Sequence, residues 1–392
     1  MPIDPAQRTL VATMMLSVIA VLPVFLTGGL SVLIIEDIRM SPSQLGVAVS
    51  CYYVTGAAAS LPCGRFAEHV GHVRAMAIAI TGTVVALSGI GLLAGAWWHL
   101  AGFLLLAGTA NALAQPAANL ALSRNIPAHR QGMAFGLKQA TIPAASMFAG
   151  FAVPLVGLTL GWRYAFLIAT LAMLAYPLVS RGLPDRQGGA GSRGANRAGQ
   201  TNATLVILAT GAAFAVVASS TLAPFYVSSA ISHGFEPGEA GWLMSLGGFA
   251  GITVRVLAGW LADRRNGGHL RVVAYLLSAG AAGFAFLGSP TNHVALILAT
   301  TLAFGAGWGW AGLFHYAVVR SRSDAPAAAT GAVLTGMRTG GIVGPATFGF
   351  IVERAGYRTA WWAMASVTLV SVGLMLLGRR SLIREKSSAP GS

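Results

Sequence analysis

Hydrophobic residues along this chain run on instead of alternating with polar ones. The stretch LVATMMLSVIAVLPVFLTGGLSVLI (10–34) continues for 25 residues without a charge, and about 20 apolar residues in a helix cross the roughly 30 Å hydrocarbon core of a bilayer. Eleven similar runs follow, at 43–66, 74–95, 99–122, 132–156, 163–180, 202–229, 239–262, 271–288, 294–319, 329–353 and 358–378. Such runs predict helices, because a helix satisfies its backbone hydrogen bonds within one segment and lipid offers no other partner. The first run is too long and wrongly flanked for a cleaved signal peptide. The expected fold class is an all-α membrane protein with twelve transmembrane helices.

The main break in the pattern is RGLPDRQGGAGSRGANRAGQ (181–200), which is rich in Gly and Arg and has almost nothing to bury. It reads as a flexible linker. The expected division is an N-terminal six-helix bundle over 1–180, a linker over 181–201, a C-terminal six-helix bundle over 202–378 and a basic tail over 379–392. A repeat supports the division. SPSQLG (41–46) and EPGEAG (236–241) lie 195 residues apart, and each places Pro at a first helical position with Gln or Glu two residues on, a helix-start signature. Gly64 and Gly259 are also 195 apart, as are GWR (161–163) and GYR (356–358), whereas GLK (136–138) meets GMR (336–338) at an offset of 200. Parallel repeats of this kind imply a pseudo-two-fold axis along the membrane normal.

Composition agrees: 9% of the 392 residues are charged and 55% are hydrophobic, too few charges to cover a soluble chain of this length. The net charge of +14 raises the question of nucleic acid. Placing the basic residues on the predicted spans answers it. Eighteen flank the spans on the side of the N-terminus and four on the other side, at Arg39, Arg163, Arg354 and Arg358. That bias predicts cytoplasmic termini. Basic residues scattered over short loops do not make the contiguous face that nucleic acid requires. Cys51 and Cys63 fall on one predicted helix about 18 Å apart, too far for a disulfide. No metal cluster, phosphate loop or nucleophile motif stands out, so no cofactor and no catalytic residue is expected.

The loops after the second span of each half carry a more specific signal. GWLADRR contains Gly259, Leu261, Ala262, Asp263 and Arg264; GRFAEHVGHVR contains Gly64, Ala67, Glu68, His69, Gly71 and Arg74. Both resemble the Gly-x-Leu-Ala-Asp-Arg-x-Gly loop of the major facilitator superfamily, and the resemblance extends over essentially the whole chain. The copies are imperfect, with Asn266 where a glycine is usual and Glu68 and His69 in place of Asp and Arg. The resemblance implies a transporter that works by alternating access as a functional monomer in the cell membrane. It also implies that Gly64, Glu68, Gly71, Arg74, Gly259, Asp263 and Arg264 form a conformational latch between the halves.

Three cations, Lys138, Arg255 and Arg338, fall inside spans, while all eleven acids lie in loops, tails or span ends. A cation at the centre of a bilayer costs at least about 2.5 kcal/mol on insertion scales. It therefore faces water, a partner or a ligand. In the family the helices bearing these cations flank the central cavity. Asn111, Gln115 and Asn119 recur every fourth residue, on one face of the fourth span, and Gln115 aligns with His315 by repeat. Thr27, Ser31, Ser219, Ser220, Thr221 and Tyr226 are further polar candidates for the cavity wall. A cavity with embedded cations and no embedded acid suits a small organic anion such as a monocarboxylate. Lys138 and Arg338 then hold the carboxylate, Arg255 adds positive potential, and Asn111, Gln115 and His315 read the remainder. A co-transported proton rides on His315 or on the substrate, or a counter-anion takes its place. The competing structural role pairs Lys138 with Asp263 and Arg338 with Glu68 across the halves. A cluster of glycines with a Gly-Pro pair (Gly331, Gly340, Gly344, Pro345, Gly349) predicts a closely packed, bendable eleventh helix. The other functions that fit the scaffold are efflux of hydrophobic or cationic compounds and a non-transporting receptor or lipid flippase.

Overall fold

The computed structural model describes residues 4–180, 183, 203–264, 267–321 and 326–388, and the helices are numbered in chain order. They are α1 (Pro5–Gly29), α2 (Ser31–Ile38), α3 (Pro42–Ala58), α4 (Ser60–Val70), α5 (His72–Leu93), α6 (Trp97–Asn125), α7 (Ala128–Gln139), α8 (Thr141–Ala152), α9 (Trp162–Met173) and α10 (Tyr176–Ser180). The second half continues with α11 (Ala203–Ser219), α12 (Leu222–Ser232), α13 (Pro237–Asp263), α14 (His269–Leu287), α15 (His293–Thr300), α16 (Gly307–Ser321) and α17 (Pro326–Ser388). Wider π-helical turns at Val153–Gly157 and Thr301–Ala306 extend α8 and join α15 to α16. Each predicted span falls on one helix or on helices joined nearly end to end. Among the described residues, ten helices or helices joined end to end are long and apolar enough to cross a membrane, or eleven when α3 and α4, bent by 53°, count as one span. The expected linker, 181–201, lies outside the described residues apart from Leu183.

Local sequence explains the helix ends. At the start of α3, Ser41 accepts from the Gln44 N–H at 3.3 Å, the Gln44 side chain accepts from the Ser41 N–H at 2.8 Å, and Pro42 occupies a first-turn position that needs no N–H. The Ser41 hydroxyl donates onward to Glu353 at 2.9 Å, and the Ser43 N–H donates to the same carboxylate oxygen. Ser41→Ala is therefore expected to cost about 1 kcal/mol in cap energy, seen as a lower thermal unfolding midpoint, with Ser41→Thr close to wild type. Equal midpoints for Ala and wild type would show that the cap carries no stability.

The backbone makes the repeat visible at residues of positive φ. There are six among the described residues, and they fall into three pairs: Arg39 and Gly234 (234 − 39 = 195), Gly71 and Gly268 (268 − 71 = 197), Gly161 and Gly356 (356 − 161 = 195). Each pair closes one helix or opens the next. Gly is favoured there because a Cβ strains the left-handed region, and Arg39 carries that strain at φ 51°. Gly356 interrupts α17 at φ 77°, dividing it into two helices. The GWR and GYR motifs thus share an offset because each glycine supplies the same turn. The middle pair places the positive-φ glycine of the second loop at Gly268, two residues beyond Asn266, which lies outside the described residues.

The described helices divide into two compact units. The first comprises Met1–Gly191, Ala223–Gly248 and Pro345–Glu353; the second comprises Ser192–Leu222, Phe249–Gly344 and Arg354–Ser392. In the first unit α6 packs along α1, α3 and α5. Pro23 inside α1 removes a backbone donor, and the Tyr52 hydroxyl donates to the nearby Ala20 carbonyl at 3.0 Å. In the second unit the core draws Leu208 and Ala212 from α11, Leu277 from α14, Trp310 and Phe314 from α16, and Met375 from α17. The tail continues α17 as far as Ser388, and Thr204 donates to Glu385 at 2.6 Å.

A seam inside the first unit joins segments remote in sequence. A Cβ on Gly46 of α3 would lie 2.3 Å from the Pro345 carbonyl oxygen, and one on Gly349 of α17 2.3 Å from that of Pro42. The repeat-related crossing of α13 and α8 uses Gly241 and Gly150 in the same way. Close packing is thus what the glycines near Pro345 provide. The ring centroids of Phe225 and Phe348 lie 4.7 Å apart, Phe151 meets Trp242 edge-on at 5.4 Å, and the hydroxyls of Ser31 and Ser228 meet at 2.7 Å. Thr27, Ser31, Ser219, Ser220, Thr221 and Tyr226 are all buried. Of these, Thr27 bonds back to the Pro23 carbonyl of its own helix. These hydroxyl groups sit in packed protein and do not line an open wall.

Candidate functional site

The sequence-predicted polar residues of the first unit converge. Lys138 comes from the last turn of α7, while Asn111, Gln115 and Asn119 stand on successive turns of α6. The Lys138 ammonium donates to Gln115 Oε1 at 2.8 Å and to Asn119 Oδ1 at 2.7 Å, and Gln115 Nε2 donates to Asn111 Oδ1 at 3.1 Å. Lys138 is 5% exposed, Asn111 and Gln115 are half-buried and Asn119 is exposed. A chain of amides thus leads from an accessible face down to a buried charge. Gln115 and Asn119, which hold that charge, are both neutral.

Hydrogen-bond accounting gives the site its character. An ammonium has three donors and a carboxamide two donors and one acceptor oxygen. All three amide oxygens already face an N–H. What these bonds leave over is one N–H on Lys138, one on Gln115 and both on each of Asn111 and Asn119. Each amide oxygen keeps a second lone pair, but these three acceptors are outnumbered by the six N–H donors around a positive charge. Such a surface is complementary to an acceptor-rich, negatively charged group.

The other predicted residues lie in the second unit. Arg255 of α13 donates through Nη2 to the Trp308 carbonyl at 3.2 Å, and its guanidinium carbon stands 5.6 Å from the Trp308 ring centroid. It is anchored to α16 within its own unit. His315 is half-buried on α16, and its Nδ1 donates to the Ala311 carbonyl at 2.8 Å. A carbonyl only accepts, so Nδ1 carries the proton and Nε2 has the lone pair in the neutral ring. Arg338 is exposed on α17. The repeat that aligns Lys138 with Arg338 therefore relates a buried, amide-held cation to an exposed one.

The latch residues are less developed. Glu68 and Arg74 are exposed, and a side chain at Gly64 or Gly259 would meet open space. Gly71 has φ 86°. Arg264 stacks 3.7 Å from the Trp260 ring centroid. The Asp263 side chain lies outside the described residues. Residues that sequence reasoning passed over include His72 and His269, buried immediately after Gly71 and Gly268. Asn125 Nδ2 lies 3.2 Å from His72 Nε2, and His269 meets the Tyr316 ring edge-on at 5.1 Å. Their offset of 197, the same as that of the two glycines, was the available signal. Asp37 was missed as well: it pairs with Arg163, which also donates to the Ala94 carbonyl at 2.9 Å and lies 4.4 Å from the Trp162 ring centroid.

The sequence model of the Major Facilitator Superfamily matches residues 10–345. An uncharacterised MFS-type transporter of Mycobacterium tuberculosis (strain CDC 1551 / Oshkosh) is 25% identical over 341 residues, covering 83% of this chain and 75% of the relative. A second, from strain ATCC 25618 / H37Rv, is 24% identical over 352 residues with the same coverage. Among solved structures, a bacterial homologue of the human lysosomal transporter Spinster, in an inward-facing and unoccupied conformation, superposes with TM-score 0.79 at 16% identity, over 98% of this chain and 99% of that one. The xylose transporter XylE of E. coli, inward open, gives 0.76 at 14% identity, over 95% and 96%. The family model covers most of the chain, and the helical fold and the paired loops agree with it: this multi-pass membrane protein belongs to the Major Facilitator Superfamily.

Proposed function

We propose that the protein is a secondary active transporter of a small organic anion of the monocarboxylate type, working by alternating access between two six-helix bundles joined by the 181–201 linker. Counting α17 as two spans, divided at Gly356, gives the proposal its twelve helices. The observation that supports the anion most directly is the donor-rich cluster around Lys138, a buried ammonium held by neutral amides. Lys138 takes the carboxylate with Gln115 and Asn111 around it, and Arg338 supplies the second cation, its guanidinium suited to a two-point grip. Arg255 raises the local potential from its anchor on Trp308, and His315 reads the remainder of the substrate. A proton on His315 or on the substrate, or an exchanged anion, balances the cycle. Asp263 and Glu68 serve the latch that biases the two states. The termini face the cytoplasm of a cell whose inner membrane holds the protein as a functional monomer.

The test is a thermal-shift panel on the purified protein. A ligand that binds the native state stabilises it by RT ln(1 + [L]/Kd), so carboxylates are expected to raise the unfolding midpoint and primary amines of the same carbon skeleton are not. Stabilisation by hydrophobic amines with none by acids would replace this reading with efflux of cationic compounds.

A further inference from the structure

Asn119 occupies the position from which the charge of the Lys138 cluster is set. It stands one helical turn beyond Gln115 on α6, and its Oδ1 is 2.7 Å from the Lys138 ammonium, the shorter of the two bonds that hold it. A carboxamide and a carboxylate have the same shape and differ in one group, NH2 against O⁻. With Asn at 119 the acceptor turns toward the ammonium, the two N–H donors turn away from it, and the cluster keeps its full positive charge. With Asp in the same place the ammonium would be neutralised by a charge-assisted bond, and the outward atom would be an acceptor. One atom at an exposed residue therefore changes both the net charge and the hydrogen-bonding sign of the surface.

We infer that Asn119 is a specificity-determining residue, keeping the Lys138 site selective for anions by holding the ammonium without neutralising it. The inference rests on the anion reading above and adds a residue and a rule to it. Gln115 and Asn119 together position Lys138, since each gives it one acceptor, and the third ammonium N–H is left for the substrate. Gln115 is further tied to Asn111 at 3.1 Å. Asn119 is the exposed end of the chain of amides, the member a substrate meets first.

The experiment uses the full-length purified chain, with acetate, lactate and benzoate set against ethylamine and benzylamine, and affinity read from thermal shifts. Asn119→Asp is expected to weaken carboxylate binding at least about tenfold, the worth of one charged hydrogen bond, without lowering the unfolding midpoint of the free protein. In the Lys138→Gln/Asn119→Asp double variant the acid stands alone, and benzylamine or ethylamine is expected to bind at least about tenfold more tightly than to wild type. A chemical version avoids any failure of folding: Asn119→Cys, in a chain whose Cys51 and Cys63 are alanine, is folded first and then alkylated. Iodoacetate places a carboxylate at the position and iodoacetamide a neutral amide of the same size, and only the first is expected to abolish carboxylate binding. Carboxylate affinity within about threefold of wild type in both Asn119→Asp and the iodoacetate adduct, a loss of less than about 1 kcal/mol, overturns the role of Asn119 and leaves the anion reading standing. Wild-type protein stabilised by none of the three carboxylates overturns both.

Discussion

Lys138→Gln is expected to lower the affinity for a carboxylate by about 10- to 100-fold, the equivalent of roughly 1.5–3 kcal/mol for a lost charged hydrogen bond. The fold should survive. Glutamine at 138 still offers an amide N–H toward Gln115 Oε1 and Asn119 Oδ1, now held at 2.8 Å and 2.7 Å by the ammonium, and removing a cation from a buried position relieves a desolvation cost. Calorimetric titration of a carboxylate into wild type and variant reads the change directly. The competing role, a latch between Lys138 and Asp263, predicts a different pattern. There the single variant loses turnover while affinity holds, and adding Asp263→Asn restores part of the loss, because the double variant removes both partners of a pair. Unchanged affinity in Lys138→Gln would remove Lys138 from the binding site.

The second large effect is expected at the seam. Gly46→Leu places a Cβ 2.3 Å from the Pro345 carbonyl oxygen before the rest of the side chain is counted. The obstacle is backbone, which cannot rotate away, so α3 and α17 must separate. Overpacking of this kind costs about 1–3 kcal/mol or more. Two packed states a few kcal/mol apart change places under such a penalty, so the arrangement with this seam closed becomes the minor one and transport falls by at least about tenfold. Labels on Val47 of α3 and Phe350 of α17, both exposed, in a chain without Cys51 and Cys63, report the separation. A single short distance is expected in the parent and a longer distribution in the variant. The same short distance in both would show that the seam tolerates the side chain and does not open during the cycle.

Much of this molecule is already present in its linear pattern. Hydropathy is a sum of local terms, and lipid imposes it on every span separately. Most helices therefore begin and end within a few residues of where the runs of apolar residues predict, as at 239–262 against Pro237–Asp263, whereas the last runs past the apolar stretch 358–378 to Ser388. Capping is equally local: SPSQLG contains its own donors and acceptors, and α3 starts where that motif says. The repeat was also legible, because the turns at Gly161 and Gly356 need the same residue for the same backbone reason. The stripe of Asn111, Gln115 and Asn119 announced itself by its period of four.

Partners were decided by the tertiary structure. Which neighbour Lys138 finds depends on the rotation and crossing of α7 against α6, set by side chains far apart in sequence, and no periodicity along α7 reports it. The structure gives it amide oxygens, anchors Arg255 on Trp308, and leaves its repeat partner Arg338 exposed. For the same reason Ser31 proved to bond Ser228, 197 residues away, inside packed protein. Composition shows that a residue is polar; only packing decides whether that polarity is spent on another helix or left open for a ligand.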